Sequence, residues 1–147
     1  MKTLWHASDR DEVRQRARRL VSGATPAWGR MNAPQMIAHV TDALRMSLGR
    51  LPVAIVPSVF RFPPFKQVAV YWLPWPKGAP TMPELIARSP GEWGTEIDEL
   101  SQLVDDFGAR DAREPWPVHP IFGAMSREAW GRLAYRHLDH HFRQFRI

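Results

Sequence analysis

Between Ser126 and Phe145 the apolar residues recur at helical spacing, and two histidines recur with them. Successive residues of a helix advance about 100°, which brings Trp130, Leu133, Ala134, His137, His141, Gln144 and Phe145 to one face. Arg132, Arg136, Asp139, Arg143 and Arg146 fall on the opposite arc, where water is expected. A fold that contains this stretch must build a core against it and accommodate two inward imidazoles. His137 and His141 stand one turn apart, close enough to share one metal ion as a helical H-x-x-x-H pair does. The competing reading is that each ring is satisfied by a backbone carbonyl or a neighbouring side chain. His140 lies on the shoulder of the same face and is an alternative to either residue. A third ligand has to come from elsewhere.

The chain of 147 residues fits one domain, 1–147, long enough to bury about two thirds of its unfolded surface. It contains no cysteine, which excludes disulfides, thiolate ligands and a cysteine nucleophile, so any metal site must use nitrogen and oxygen donors. The net charge of +5 raises the question of nucleic acid. However, the basic residues are spread from Lys2 to Arg146 and interleaved with acids, and Arg14, Arg16, Arg18 and Arg19 do not share one helix face. No specific nucleic-acid partner is expected. The opening Met1 to His6 lacks the apolar run of a signal peptide, and the expected location is the cytoplasm. The most apolar stretches, 51–60 and 68–75, are interrupted by prolines and fall below the ~20 residues of a membrane span, so no membrane association is expected.

Ser8 is the expected cap of a first helix that ends at Ser22-Gly23, with Val13, Ala17, Leu20 and Val21 on its apolar face. Asn32-Ala33-Pro34-Gln35 is a capping box with proline in the first turn, and the second helix should run to about Leu48 and stop at Gly49. His39 lies at the edge of that helix's apolar arc. Eight prolines from Pro52 to Pro83 keep any long helix out of the next region, although Phe65 to Leu73 can form a short one. Aromatic residues between those prolines describe a stiff crossover packed on the bundle, with a pocket wall as its functional reading. Ser89-Pro90-Gly91-Glu92 reads as a second capping box, opening a third helix to about Phe107. Its Glu96, Asp98, Glu99, Asp105 and Asp106 read as an acidic outer face in water. His119 falls in the irregular connection that follows, without an assignable partner, and Ser126 caps the last helix. No repeat and no strand-like alternation is present.

Four amphipathic helices, a long connection between the second and third, and inward histidines on the second and last describe a helical bundle with a site between helices. Three neutral imidazoles would leave one or more positions on an ion open, as in catalytic rather than structural metal sites. Such an ion can bring a water or a thiol to its deprotonated form near neutral pH. Asp42, one turn from His39, is either a carboxylate that orients it or a solvent residue.

Asn32-Ala33-Pro34-Gln35-Met36-Ile37-Ala38-His39, together with His137-Leu138-Asp139-His140-His141-Phe142-Arg143-Gln144, resembles the paired signatures of the DinB-like and YfiT-like metalloenzymes. It resembles in particular a branch of unknown function that also carries a segment like Leu73-Pro74-Trp75-Pro76-Lys77-Gly78-Ala79-Pro80-Thr81. The resemblance covers most of the chain. It implies an all-α, four-helix up-down-down-up bundle with the Pro/aromatic-rich crossover between helices two and three, and often a homodimer. It also implies a divalent ion, nickel or zinc, held by His39, His137 and His141, with His140 as the alternative ligand. Many relatives have glycine where Arg143 precedes Gln144, which alters that part of the pocket. Some members of the wider superfamily transfer low-molecular-weight thiols or use one as cofactor. The function so implied is a divalent-metal-dependent enzyme acting on a small molecule, a small-thiol S-transferase or a hydrolase. The alternatives are a metal- or ligand-binding module without turnover and a basic nucleic-acid-binding protein.

Overall fold

The second long helix begins where its capping box demands. In the computed structural model, which describes residues 1–147, the Asn32 side chain accepts the Gln35 amide at 2.9 Å and the Gln35 side chain accepts the Asn32 amide at 3.0 Å. These two bonds satisfy amides that a helix start otherwise leaves unpaired. That helix, α2, spans Ala33–Ser47 and ends with Leu48 and a left-handed Gly49 at φ 74°. The chain is all-helical, without a strand. α1 is Ala7–Arg19; α3 is a short helix, Phe65–Gln67, that continues as a wider π turn over Val68–Trp72; α4 is Trp93–Ala109; and α5 is Arg127–Gln144, capped by Ser126 accepting the Ala129 amide.

Two expected starts move. Ser8 does not cap α1: the helix begins at Ala7 behind His6, which makes no side-chain cap, and Asp9 from the first turn instead accepts the Thr3 amide at 2.9 Å. This helix also stops at Arg19, short of Ser22-Gly23. The Ser89-Pro90 box does not open α4. Glu92 is the cap, its carboxylate accepting the amides of Gly94 at 2.9 Å and Thr95 at 2.7 Å. A charged acceptor at this position also suits the positive end of the helix dipole.

α1 and α2 each lie against both α4 and α5, and one apolar core fills the space between them. Trp130, Phe107, Phe142, Met36 and Leu138 are fully buried there. The inward arc of α5 is thus wider than expected, because Leu138 and Phe142 join it. Its outer arc is also less free. Asp139 accepts from the buried Arg16 at 2.8 Å, and Arg136 reaches back to the carbonyl groups of Ala69, Val70 and Leu73, fastening the crossover to α5.

The acidic face of α4 is largely paired rather than solvated. Glu96 is 3% exposed, so it is not the solvent residue its helix face suggested, and Asp42 of α2 is 2% exposed, which removes the solvent alternative for it. Both are held by Arg88, whose Nη2 meets Glu96 at 2.7 Å and whose Nε meets the Asp42 carboxylate at 3.0 Å. Arg45 adds a second cation to Asp42 at 2.7 Å and also pairs with Glu99, while Arg50 pairs with Asp106. Arg88 comes from the irregular stretch before α4 and thereby ties that stretch to α2 and α4 together. Arg88→Met is expected to lower stability by about 3 kcal/mol in urea unfolding, because it strands the buried Glu96 carboxylate and leaves Asp42 with Arg45 alone. Arg88→Met with Glu96→Gln should recover part of the loss. A loss below about 1 kcal/mol for the single variant, the size of an exposed pair, would contradict the network's burial.

Candidate metal centre

α2 and α5 bring His39, His137 and His141 together, with one ligand-capable atom from each residue lying within 4.8 Å of the others. The ring of His39 is 4.9 Å from that of His137 and 4.8 Å from that of His141, and the rings of His137 and His141 are 4.9 Å apart. The closest approach is His39 Nε2 to His137 Nε2, at 3.0 Å. His140 is outside this group. It stacks edge-on against His141 at 5.2 Å and lies beside Trp75 and Trp28, at the rim.

Hydrogen bonds on the far side of two rings decide which nitrogen is free. His39 Nδ1 faces the Leu85 carbonyl at 3.2 Å, and since a carbonyl only accepts, the proton belongs on Nδ1 and the lone pair on Nε2. Gln144 donates its Nε2 to the Trp28 carbonyl at 2.6 Å, which turns its Oε1 toward His141 Nδ1 at 2.9 Å. His141 therefore also keeps its proton on Nδ1 and its lone pair on Nε2. Burial pushes the pKa of His39 and His137 down, and that of His141 to about 3, so all three rings are neutral at ordinary pH. Converging neutral imidazoles with oriented outer partners are what a divalent cation requires. The residues fit a metal ion: one divalent cation can accept a lone pair from all three nitrogens at once.

The supports of these rings come from parts of the chain that periodicity does not reach. Leu85 lies in the 3-10 turn Pro83–Ile86, packed on α2 and followed by the clamped Arg88. Asp42 makes no hydrogen bond to His39; it anchors Arg88, and its charge acts on the His39 ring in the direction that favours protonation, against the larger effect of burial. Gly29, at φ 83°, lets the Trp28 carbonyl approach Gln144, because a Cβ there would stand 2.5 Å from Gln144 Nε2. The pair Gly29 and Gln144 could have been suspected only from a turn glycine and an inward amide.

His137 and His141 open onto a cavity of about 750 Å³, walled by Leu73 and Trp75 of the crossover and by Phe122, Trp130 and Leu133. Trp75 lies 5.3 Å from His137, ring to ring, so the aromatic crossover does form a pocket wall. His119 also lines the cavity and is buried; the sequence offered it no partner, whereas here its Nδ1 accepts the amides of Ile121 and Phe122. Burial takes its pKa to about 3.

These shifts have a consequence for folding. Unfolded, the rings take up protons near pH 6.5; folded, His119 and His141 do so only near pH 3. Between those values the unfolded chain binds more protons, so stability is complete above about pH 6.5 and is lost as pH falls. Metal-free protein should therefore show a falling urea midpoint from pH 7 to about 5.5, above the range of the carboxylates, with each such histidine contributing at most about 1.4 kcal/mol per pH unit. His119→Asn should flatten the slope. A midpoint that does not move over this interval would contradict the neutral, buried rings.

Residues 2–147 match the family described as "Protein of unknown function (DUF1569)". No curated protein and no solved structure gives a significant match. With the match spanning nearly the whole chain, both histidine-bearing helices included, the protein belongs to the DUF1569 family.

Proposed function

We propose that the protein is a divalent-metal-dependent enzyme of the DinB-like and YfiT-like kind, with the up-down-down-up bundle of those proteins, acting on a small molecule through His39, His137 and His141. The observation that carries this reading is the three-imidazole group opening onto a largely apolar cavity. Nickel or zinc suits an all-imidazole donor set. Bound there, the ion would supply Lewis acidity that lowers the pKa of a thiol or of water. The chain's own contributions are orientation and exclusion of solvent. Leu85 and Gln144 fix two rings, Trp75 covers the third, and Arg136 holds the covering segment down. No carboxylate belongs to the three-residue group, so its donors number three and further coordination would come from a ligand in the cavity.

Transfer of a small thiol to an electrophilic substrate is the reaction proposed, with hydrolysis as its close variant. A cytoplasmic location and a homodimer belong to the same proposal. Specific nucleic-acid binding does not, since Arg14 and Arg16 on α1 are already committed to Asp105 and Asp139. The second reading, a module that holds an ion or small ligand without turnover, is favoured by the make-up of the three-residue group, which consists of imidazoles alone. Cobalt-substituted protein separates the two. Addition of a small thiol should change its visible spectrum, and His141→Ala should abolish the change. A spectrum indifferent to every thiol and anion tried would indicate a closed ion and favour the module.

A further inference from the structure

The loop between α4 and α5 carries a histidine that the three-ring group does not use. His119 is 8% exposed, and its backbone pairs with that of Gly123 in both directions at 2.9 Å, which Gly123 permits by adopting φ 70°. Inside this tight loop the ring turns back on its own chain. Nδ1 accepts the Ile121 amide at 3.1 Å and the Phe122 amide at 3.2 Å. Two amide donors require a lone pair, so the neutral ring must carry its proton on Nε2. The ring is packed between Phe122 at 4.8 Å and Trp130 at 5.2 Å.

Nε2–H has no hydrogen-bond partner in the chain, yet the ring forms part of the wall of the cavity onto which His137 and His141 open. It is near enough to His137 for the charges of the two rings to oppose one another. Nε2 is not sealed from the cavity, so cavity water can take its hydrogen bond, and an acceptor carried by a ligand takes that water's place. We propose that His119 Nε2–H is the anchoring donor for a carbonyl-type oxygen on an otherwise apolar substrate occupying this cavity. The proposal rests on reading the cavity as the substrate pocket of the three-histidine site.

The chemistry of the wall selects the class. Phe122, Trp130, Leu133, Leu73 and Trp75 offer dispersion and apolar burial, which suit an aromatic or aliphatic body. Because His119 stays neutral, it presents a dipole rather than a charge and matches a ketone, ester or amide oxygen better than a carboxylate. A donor facing the cavity discriminates against a molecule of the same shape that lacks the acceptor, because that molecule displaces the water and leaves the N–H unpaired.

Two isosteres separate this role from loop closure. Asparagine at this position keeps an oxygen near Nδ1 for the loop amides but has nothing at the position of Nε2. Glutamine keeps an N–H near Nε2 but gives up the loop acceptor. The probes are acetophenone and ethylbenzene, which share a shape and differ in the carbonyl oxygen. With nitrogen-labelled histidine, the NMR resonance of His119 Nε2 should report a protonated nitrogen and shift on addition of acetophenone. Acetophenone should bind about tenfold more tightly than ethylbenzene, the worth of one net hydrogen bond. The preference should vanish in His119→Asn and persist in His119→Gln. Equal affinity for the two probes, no binding of acetophenone up to its solubility limit, or a preference retained in His119→Asn would overturn the proposal. If His119→Gln does not fold, the wild type and His119→Asn decide. The titrations are run with chelator and with added zinc. A His119-dependent preference in protein that takes up no zinc keeps the donor and removes the metal reading, while zinc uptake without a preference does the reverse.

Discussion

Two imidazole nitrogens, His39 Nε2 and His137 Nε2, approach to 3.0 Å across the junction of α2 and α5. Two lone pairs cannot share that distance without repulsion, so either one proton or one cation must lie between them. The Leu85 carbonyl, by taking the proton of His39 Nδ1, removes the possibility that His39 is the donor. His137 then either donates Nε2–H to His39 or gives up that proton and joins His39 and His141 on an ion. Much of the surrounding structure serves this choice. Burial keeps the rings uncharged, Gln144 turns His141 to face the others, and the turn that presents Leu85 is held by the buried pairs of Arg88.

α5 unites these demands in one element. Its inward face supplies His137 and His141 beside Trp130, Leu138 and Phe142, so packing of the helix and placement of the rings are one event. Its outer face supplies Arg136, which fastens the proline-rich crossover to the same helix and so places Trp75 over His137. A substitution that loosens the α5 packing should therefore disturb both ligand geometry and cavity wall. The crossover is stiff because its prolines limit the backbone, and Lys66 and Arg61 further bind it to carbonyl groups of the α4–α5 loop.

The helical class and the inward pair His137 and His141 were legible because both depend on local periodicity: the Asn32–Gln35 box and the 3.6-residue spacing act within a few residues. His39, by contrast, stood only at the edge of its arc and joined the pair through the inward faces of two helices and the family resemblance. What periodicity could not reveal was set by distant partners. Glu96 looked solvated because its helix face is acidic, yet Arg88 meets it from an irregular segment and makes its burial tolerable. His119 looked idle because its partners are backbone amides that point at it only after the loop has closed on Gly123. The start of α4 was misplaced because Ser89 and Glu92 both have capping chemistry, and the Gly91 amide, bound at 2.7 Å by Glu96, is drawn out of the helix. The mutual orientation of His39, Leu85 and Gln144 likewise belongs to the assembled chain.

The central claim is that the three rings hold one divalent ion between them, and metal analysis of untagged protein tests it most directly. Wild-type protein should contain close to one equivalent of ion per chain. His137→Ala, which takes away the nitrogen lying 3.0 Å from His39 Nε2, should contain little. Equal and negligible metal in both proteins would contradict the account and leave the His39–His137 contact as an ordinary buried hydrogen bond.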